Sequence, residues 1–540
     1  MIKDKFFFTA HDFAYYAWFV FLIICFLPLI IYGGFGTSDD LSLIVNTSDS
    51  YTDALKQSLS RSGHVSRPIY GFVQISSLFV FKAHHFLYTI YRLLLWAVNI
   101  YLICHVFKFT LIGVKKIIFL FLISFPIFIS AHFFNAFQTG YLWSVFFWLI
   151  SLVFIKKCFN DNGLYNLKIS TCFLLLALLS CEIVFPLFIL NILLPLSDKG
   201  VRFHFKSKSS VLKKHMLMVL LVLISFAFFK MFIAPLYQTE TGIYGFSFSF
   251  HSILQSVYYF FCILIEIPLL LLEVIPFYIS MPLLWITLIT FPLFYFLRKE
   301  VSLQKENDEG QISRINKYLF CALFSCFLIF LFSEYPAVTF GNYNKMLLPS
   351  FVVYCLFVTK FFHKILYSKL WFFVPFLISL WISSMLVQVK NTCESWSLRN
   401  EVSIEIAKQV KTLPKSPNKK VLCNVPFYLK NNYNDEHVFW TTWDFEAGIK
   451  YIGFYSDFVF LPYCENTIKD PSLDSFHNIN NKMNKYHNEA VWNFVYSKQR
   501  TQNSILLHND FQSLKSSRIS FNNFEPCFRH QLRNKIKTLF

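Results

Sequence analysis

The sequence predicts an all-α membrane domain that crosses the bilayer many times, followed by an extracytoplasmic α/β domain at the carboxy terminus. The 540 residues are 55% hydrophobic and only 15% charged, which excludes a soluble globular protein and a disordered chain. From Phe13 to Val389 the apolar residues form blocks of roughly 17 to 25 residues, each long enough to cross a hydrocarbon core of about 30 Å as a helix. After Lys390 these blocks stop and polar sequence follows.

The basic residues set the predicted topology. The net charge is +18, but within the membrane domain the lysines and arginines lie in short clusters between apolar blocks, where the positive-inside rule places them in the cytoplasm. This distribution argues against nucleic acid as a partner. The first apolar stretch, residues 13–33, lacks a small-residue cleavage site and is predicted to be a retained span with a cytoplasmic amino terminus. We therefore divide the chain into a membrane domain, 1–389, and an extracytoplasmic domain, 390–540.

We expect about 10 to 12 membrane spans from the lengths of the apolar blocks. Two stretches need a special topology, because the number of times each crosses the membrane must agree with the predicted sides of its two ends. Residues 169–196 are predicted to form two short helices with an outward turn near Cys181 and Glu182. Residues 256–297, which contain four prolines and two acids, Glu266 and Glu273, are predicted to contain broken or re-entrant helices. The remaining candidate spans are 13–33, 86–107, 117–134, 139–155, 213–236, 318–334, 347–362 and 369–389.

The polar tail mixes predicted strands with a predicted helix, which favours a small α/β domain. The helix covers Leu398 to Lys411, and the strands are Lys420 to Val425, Val438 to Trp440 and Phe458 to Leu461. An extracytoplasmic tail would allow one or two disulfides among its cysteines, whose wide spacing without a CxxC unit argues against a zinc site. These cysteines are Cys393, Cys423, Cys464 and Cys527.

The first external loop, residues 34–68, carries the strongest candidates for chemistry. Asp39 and Asp40 follow the first span directly, close to the membrane surface, and one of them can act as a general base on a hydroxyl. The basic side chains of the same loop are Arg61, His64 and Arg67. Such cations can stabilise the charge that develops on a departing phosphate. The alternative interpretation is that Asp39 caps a helix and Arg67 extends to lipid headgroups.

Three further groups stand out among the apolar segments. Glu182 lies at the predicted outward turn, where an ionisable group at membrane depth suggests function, although pairing with a structural Arg or His would explain it equally well. Tyr343 and Lys345 lie in an external loop just before a span, where a lysine can bind phosphate or simply extend to headgroups. Lys230 lies near the outer end of the span 213–236 and is predicted to extend to the membrane surface.

This arrangement resembles the GT-C class of membrane glycosyltransferases, and within it the serotype-converting glucosyltransferases that modify bacterial O-antigen. The resemblance covers the architecture of the whole chain and rests on Asp39-Asp40, on Arg67-Pro68 and on the two weaker features at Glu182 and Lys345. It implies that Asp40 or Asp39 is the catalytic base, with Asp40 favoured. The adjacent acids depart from the DxD pair of metal-dependent members, so we expect no metal and no other cofactor. It also implies donor-phosphate binding by Arg67, Lys345 and Arg61, and a substrate cavity lined by Glu182, His64 and Tyr343.

The function implied is inverting transfer of a hexose such as glucose from a polyprenyl-phosphate donor. The acceptor would be a surface glycan such as O-antigen, or a lipid-linked oligosaccharide, at the outer face of the bacterial cytoplasmic membrane. Two alternatives remain open: an O-antigen or capsule polymerase, and a transporter of lipid-linked sugars that couples through intramembrane acids such as Glu182, Glu266 and Glu273. An ATP-driven pump is excluded because the chain has no Walker motif.

Overall fold

A computed structural model describes most of the predicted membrane domain and selected parts of the tail. The described residues are 20, 24–31, 43–45, 47–60, 65, 67–107, 139–161, 163–197, 205–237, 250–273, 275, 285, 288, 291–292, 295, 309–327, 339, 346–366, 368–411, 420–424, 430–431, 442–452, 459–463, 504–507, 521–522 and 528–537.

The described part of the predicted membrane domain is helical, and several of its helices are long and apolar. Its α-helices are α1 (Tyr51–Ser60), α2 (Pro68–Phe81), α3 (His85–Val106), α4 (Gly140–Asp161), α5 (Leu164–Ser180), α6 (Phe188–Ser197), α7 (Phe205–Phe228), α8 (Ala234–Tyr237), α9 (Phe250–Leu272), α10 (Glu309–Cys326), α11 (Leu348–Leu366) and α12 (Phe373–Lys411). Within the described residues, five stretches have the length and hydropathy of a membrane span: His85–Val106, Gly140–Phe159, Ser209–Tyr237, Ile253–Leu272 and Phe373–Ser397. An all-α, multi-pass membrane domain is therefore confirmed for these residues. The predicted total of spans stays a prediction, because segments such as 117–134 lie outside them.

The predicted interruption near Glu182 is present. Helix α5 ends at Ser180, Cys181 is extended with φ −164° and ψ 128°, and a 3₁₀ helix, Glu182–Leu187, leads into α6. Pro186 explains the break, because it has no N–H to donate to the carbonyl of residue 182 in a continuous α-helix. The sequence therefore correctly predicts two short helices separated by a turn at this point.

Helix α2 occupies a position for which the sequence predicts no separate element. It begins at Pro68, whose fixed φ suits the first turn of a helix. A short turn, in which Lys82 has a φ of 49°, then leads into α3. The loop that is predicted to be external therefore ends at a helix that begins at residue 68, well before the span predicted at 86–107.

The helix predicted for the start of the tail continues the last span. Helix α12 runs without interruption over 39 residues from Phe373 to Lys411, so the predicted tail helix is its second half. In the stretch 256–297, helix α9 likewise continues through Pro268 to Leu272 rather than breaking at that proline. Most of the stretch beyond residue 273 lies outside the described residues.

The chain divides into two compact units whose boundaries differ from the predicted ones. The first unit comprises residues 1–34, 48–392 and 528–540, and the second comprises 35–47 and 393–527. The last 13 residues thus group with the helices of the first unit, and residues 35–47, part of the loop predicted to be external, group with the tail. Helix α14 (Phe528–Lys537) belongs to the first unit.

The second unit contains short strands, of which β1 and β3 coincide with predicted ones and the others were not predicted. Strands β1 (Lys420–Asn424), β3 (Val459–Tyr463) and β4 (Ser504–Leu507) pair in parallel in the order β3-β1-β4. Helix α13 (Thr442–Tyr451) lies between β1 and β3 in sequence, and β2 (Lys430–Asn431) pairs antiparallel with β5 (Phe521–Asn522). That the tail as a whole is an α/β domain stays a prediction. The strand predicted at Val438 to Trp440 lies outside the described residues, as do Cys464 and Cys527, so the predicted disulfides stay a prediction.

Buried polar contacts fix the helices that surround the Glu182 turn. Asn191 on α6 accepts a hydrogen bond from the indole of Trp148 on α4 at 2.8 Å and donates one to Ser151 at 3.1 Å. The carbonyl of Asn191 lies 3.1 Å from Nε2 of His215 on α7. Such contacts substitute in the membrane for the hydrophobic driving force that packs helices in water. They hold α4, α6 and α7 together.

Candidate functional site

Three charged side chains from distant parts of the first unit meet at the Glu182 turn; we call them the charge cluster. The guanidinium of Arg67 donates through Nε to Oε2 and through Nη2 to Oε1 of Glu182, both at 2.7 Å. The ammonium of Lys230 donates to Oε1 of Glu182 at 3.0 Å. One carboxylate is therefore shared by two cations, of which the arginine binds it in the bidentate manner that gives strong, directional pairing.

The position of Arg67 follows from the local sequence. Arg67 lies directly before Pro68, the first residue of α2. A cation is unfavourable at this end of a helix, because the backbone N–H groups of the first turn carry partial positive charge. Glu182 compensates this effect. One turn further along, the Tyr70 ring lies so close to Gly140 that a Cβ at position 140 would overlap it. Glycine at the start of α4 thus leaves room for the Tyr70 ring and allows α2 to approach α4 closely.

A rare backbone form presents Lys230. Residues Phe229–Ile233 form a π-helical turn between α7 and α8. An inserted π turn changes the direction of the side chains that follow and is common at functional sites. The sequence did not predict this contact, in which the ammonium of Lys230 pairs with Glu182.

The charge cluster is positively charged and partly accessible. The three side chains carry formal charges of +1, +1 and −1, a sum of +1. Their exposed fractions are 14% for Arg67, 16% for Glu182 and 22% for Lys230. Burial disfavours the charged form of Arg67, but the Glu182 carboxylate outweighs this effect and raises the pKa of Arg67 well above its ordinary value. The cluster therefore holds two cationic side chains beside one carboxylate at a partly accessible place.

Among the predicted site residues, the structure brings Arg67 and Glu182 together. The sequence assigned them to different roles, donor phosphate and cavity wall, and named an arginine partner for Glu182 only as the structural alternative. The signal for Lys230 was present in the sequence as a lysine within an apolar span, but spacing alone does not reveal its partner. The other predicted site residues, Asp39, Asp40, Arg61, His64, Tyr343 and Lys345, lie outside the described residues.

A second network of charges, which we call the carboxy-terminal network, joins three parts of the first unit. Arg529 donates through Nε to Oε2 of Glu273 at 2.8 Å, and Arg533 donates through Nε to Oε1 of Glu266 at 2.6 Å. Thr339 lies between the two pairs, with its hydroxyl donating to Oε2 of Glu266 at 2.7 Å. This network is balanced, with two cations and two carboxylates.

Comparison with known proteins gives no independent indication of function. No protein-family model, curated protein or solved structure matches the chain. Within the described residues, no group of three or more His, Cys, Asp or Glu side chains could hold a metal ion. The site must therefore be interpreted from its own geometry.

Proposed function

We propose that this protein is an inverting glycosyltransferase of the bacterial cytoplasmic membrane that takes a hexose such as glucose from a polyprenyl-phosphate donor. The observation that carries the proposal is the charge cluster, in which Arg67 and Lys230 share the single carboxylate of Glu182. Two cationic side chains beside apolar helices suit a ligand that combines a phosphate with a long hydrocarbon chain. Lysine supplies a compact charge for phosphate, whereas the arginine fork gives fixed geometry.

The proposed reaction needs a base and an anion-binding site, and no nucleotide site. Asp40, or else Asp39, removes the proton from the acceptor hydroxyl, and the resulting oxygen attacks the anomeric carbon of the donor sugar. The bond between that carbon and the phosphate oxygen breaks, and polyprenyl phosphate leaves with the electron pair. Arg67 and Lys230 stabilise the negative charge that grows on the leaving group. The acceptor is a surface glycan such as O-antigen, or a lipid-linked oligosaccharide.

The pairing of the membrane acids favours transfer over transport. A transporter of the kind considered above would use Glu182, Glu266 and Glu273 to bind and release a coupling ion. Each of these carboxylates instead contacts an arginine at 2.6 to 2.8 Å. A carboxylate that is held in this way is poorly suited to exchange ions repeatedly. No corresponding observation favours a polymerase.

Purified protein in liposomes provides the direct test. The donor is a polyprenyl-phosphate glucose with a radiolabelled sugar, and the acceptor is the lipopolysaccharide or lipid-linked glycan of the host. We expect label to move to the acceptor and polyprenyl phosphate to accumulate in equal amount, with Asp39→Asn and Asp40→Asn tested separately and together. Transfer that survives in the doubly substituted protein, while that protein is made and folded normally, would refute the mechanism.

Surface polysaccharide from cells with and without the protein separates the remaining alternatives. A transferase predicts the loss of one side-branch sugar with the distribution of chain lengths unchanged. A polymerase predicts shorter chains of unchanged composition. Movement of an intact lipid-linked sugar across liposomes without release of polyprenyl phosphate would instead establish transport.

A further inference from the structure

Helix α9 has two contrasting faces along its membrane-spanning stretch, Ile253–Leu272. On one face, large apolar side chains are 46 to 55% exposed, as is expected of a helix that contacts lipid; they are Leu254, Phe261, Ile265 and Leu272. The opposite face is buried inside the first unit and includes Tyr259, Ile263, Glu266 and Leu270. Helix α9 therefore crosses the membrane with one face toward lipid and the other toward the protein.

The carboxy-terminal helix α14 lies against α9 on the side that is turned away from lipid. Arg529 contacts Glu273, directly after the last residue of α9, at 2.8 Å. Arg533 contacts Glu266 at 2.6 Å, and its carbonyl accepts a hydrogen bond from the hydroxyl of Tyr258 at 2.9 Å. Glu273 and Tyr258 are 15 residues apart, which is about 22 Å along a helix. Helix α14 therefore runs beside α9 at the depth of the membrane span.

The other face of α14 is polar and exposed. Gln531 and Lys535 are four residues apart, so they share one face of the helix, about 200° around the axis from the face of the two arginines. Both are exposed, whereas Arg529 and Arg533 are buried against α9. Charged side chains at membrane depth face either the interior of a protein or a water-filled cavity. Lipid on this face of α14 would remove a charge and an amide from water, which is unfavourable.

We propose that α14 lines a water-filled cleft within the membrane domain, with Gln531 and Lys535 on the wall of the cleft. The exposed faces of α9 and α14 lie at the same depth, but the first meets lipid and the second meets water. Lys535 gives this wall a positive charge, so the cleft admits hydrophilic anions more readily than hydrophilic cations. The class of ligand that such a wall accepts is a small hydrophilic anion or an anionic headgroup. The proposal does not depend on sugar transfer.

Cysteine accessibility tests the cleft in the full-length protein. Gln531→Cys, Lys535→Cys and Phe261→Cys are each reconstituted in liposomes with a charged methanethiosulfonate on both sides of the bilayer, and modification at each site is followed by mass spectrometry. We expect the first two to react readily, because the reagent and the thiolate both need water. Phe261→Cys is the matched control, since this position is exposed at the same depth but on the face toward lipid. It should react at least roughly tenfold more slowly, because an apolar setting suppresses the thiolate.

The charge of the reagent tests the positive wall. Gln531→Cys is treated with an anionic sulfonatoethyl reagent and with a cationic trimethylammonioethyl reagent, and each rate is divided by the rate of the same reagent with a free thiol in solution. We expect the normalised rate of the anionic reagent to exceed that of the cationic one roughly threefold, because Lys535 lies one turn away. Adding Lys535→Gln to Gln531→Cys should remove this preference.

Each outcome decides one part of the proposal. Failure of folded Gln531→Cys or folded Lys535→Cys to react with either reagent would overturn the cleft, and so would an equal rate at Phe261→Cys. Equal normalised rates of the two reagents at Gln531→Cys would overturn the preference for anions. If one of the two α14 variants does not fold, the other decides. Absence of sugar transfer by the unsubstituted protein would refute the proposed function and leave the accessibility result unaffected.

Discussion

The charge cluster and the carboxy-terminal network use the same chemical groups in different proportions. In the charge cluster two cations share one carboxylate, and the three side chains are 14 to 22% exposed. In the carboxy-terminal network two arginines match two carboxylates, and the four side chains are 0 to 13% exposed. The side chains of the first group are therefore more accessible to water than those of the second.

This difference suggests different purposes for the two groups. A buried ion pair adds little to the free energy of unfolding, because the cost of removing both charges from water offsets their attraction. It does specify one register of the helices that carry it, because every misaligned arrangement leaves a buried charge unpaired. A partly accessible group that contains two cations can attract a further anion. We therefore interpret the carboxy-terminal network as structural and the charge cluster as a binding site, and substitutions in each can break or sharpen this comparison.

The largest effect on stability is expected in the carboxy-terminal network. Arg533→Met leaves the carboxylate of Glu266 buried opposite an apolar side chain, which should lower the free energy of unfolding by about 3–5 kcal/mol. Equilibrium unfolding in detergent micelles measures this loss. The paired substitution of Arg533→Met with Glu266→Gln should recover at least half of it. A single variant as stable as the unsubstituted protein would contradict the interpretation of this network as a structural lock.

Substitution of Arg67 should affect activity more than stability. Arg67→Gln removes the bidentate partner of Glu182 and one of the two cations, and we expect kcat/KM to fall roughly a hundredfold. The free energy of unfolding should change by only about 1 kcal/mol, because water reaches the site and can solvate Glu182. Arg67→Lys keeps the positive charge but loses the bidentate geometry of the guanidinium, so its kcat/KM should lie between those of Arg67→Gln and the unsubstituted protein. A loss of stability as large as that of Arg533→Met, without a specific loss of activity, would make the two regions equivalent and would refute the comparison.

The smallest effect is expected at Lys230. Lys230→Met should raise the KM for the polyprenyl-phosphate donor roughly tenfold and change kcat little, because the bidentate Arg67–Glu182 pair remains in place. Direct binding of polyprenyl phosphate, compared with the uncharged polyprenol, should weaken by a similar factor. Met231→Leu, at an exposed neighbouring position, is the control. Equal affinity of Lys230→Met and the unsubstituted protein for polyprenyl phosphate would remove Lys230 from the anion site.

The lengths of the apolar blocks were sufficient to predict several of the helices, and the parity of the membrane crossings predicted the interruption at Glu182. The interruption depends on Pro186, which acts on its own helical turn whatever the surroundings. Strands β1 and β3 were predicted from short strand-like runs, which can likewise be recognised within one segment. Helix α2 was missed because its 14 residues are shorter than a span and its helical form depends on packing against α4, where Gly140 makes room for Tyr70.

The sequence by itself determined that this chain is a multi-pass membrane protein and that ionisable groups within its apolar segments require an explanation. Hydrophobic length and local backbone chemistry act within one segment, so they can be recognised there. Only the tertiary structure decided the partners: Arg67 and Lys230 are 115 and 48 residues from Glu182, and Arg533 is 267 residues from Glu266. The cost of burying a charge requires that some partner exists, but the packing of the helices decides which one it is.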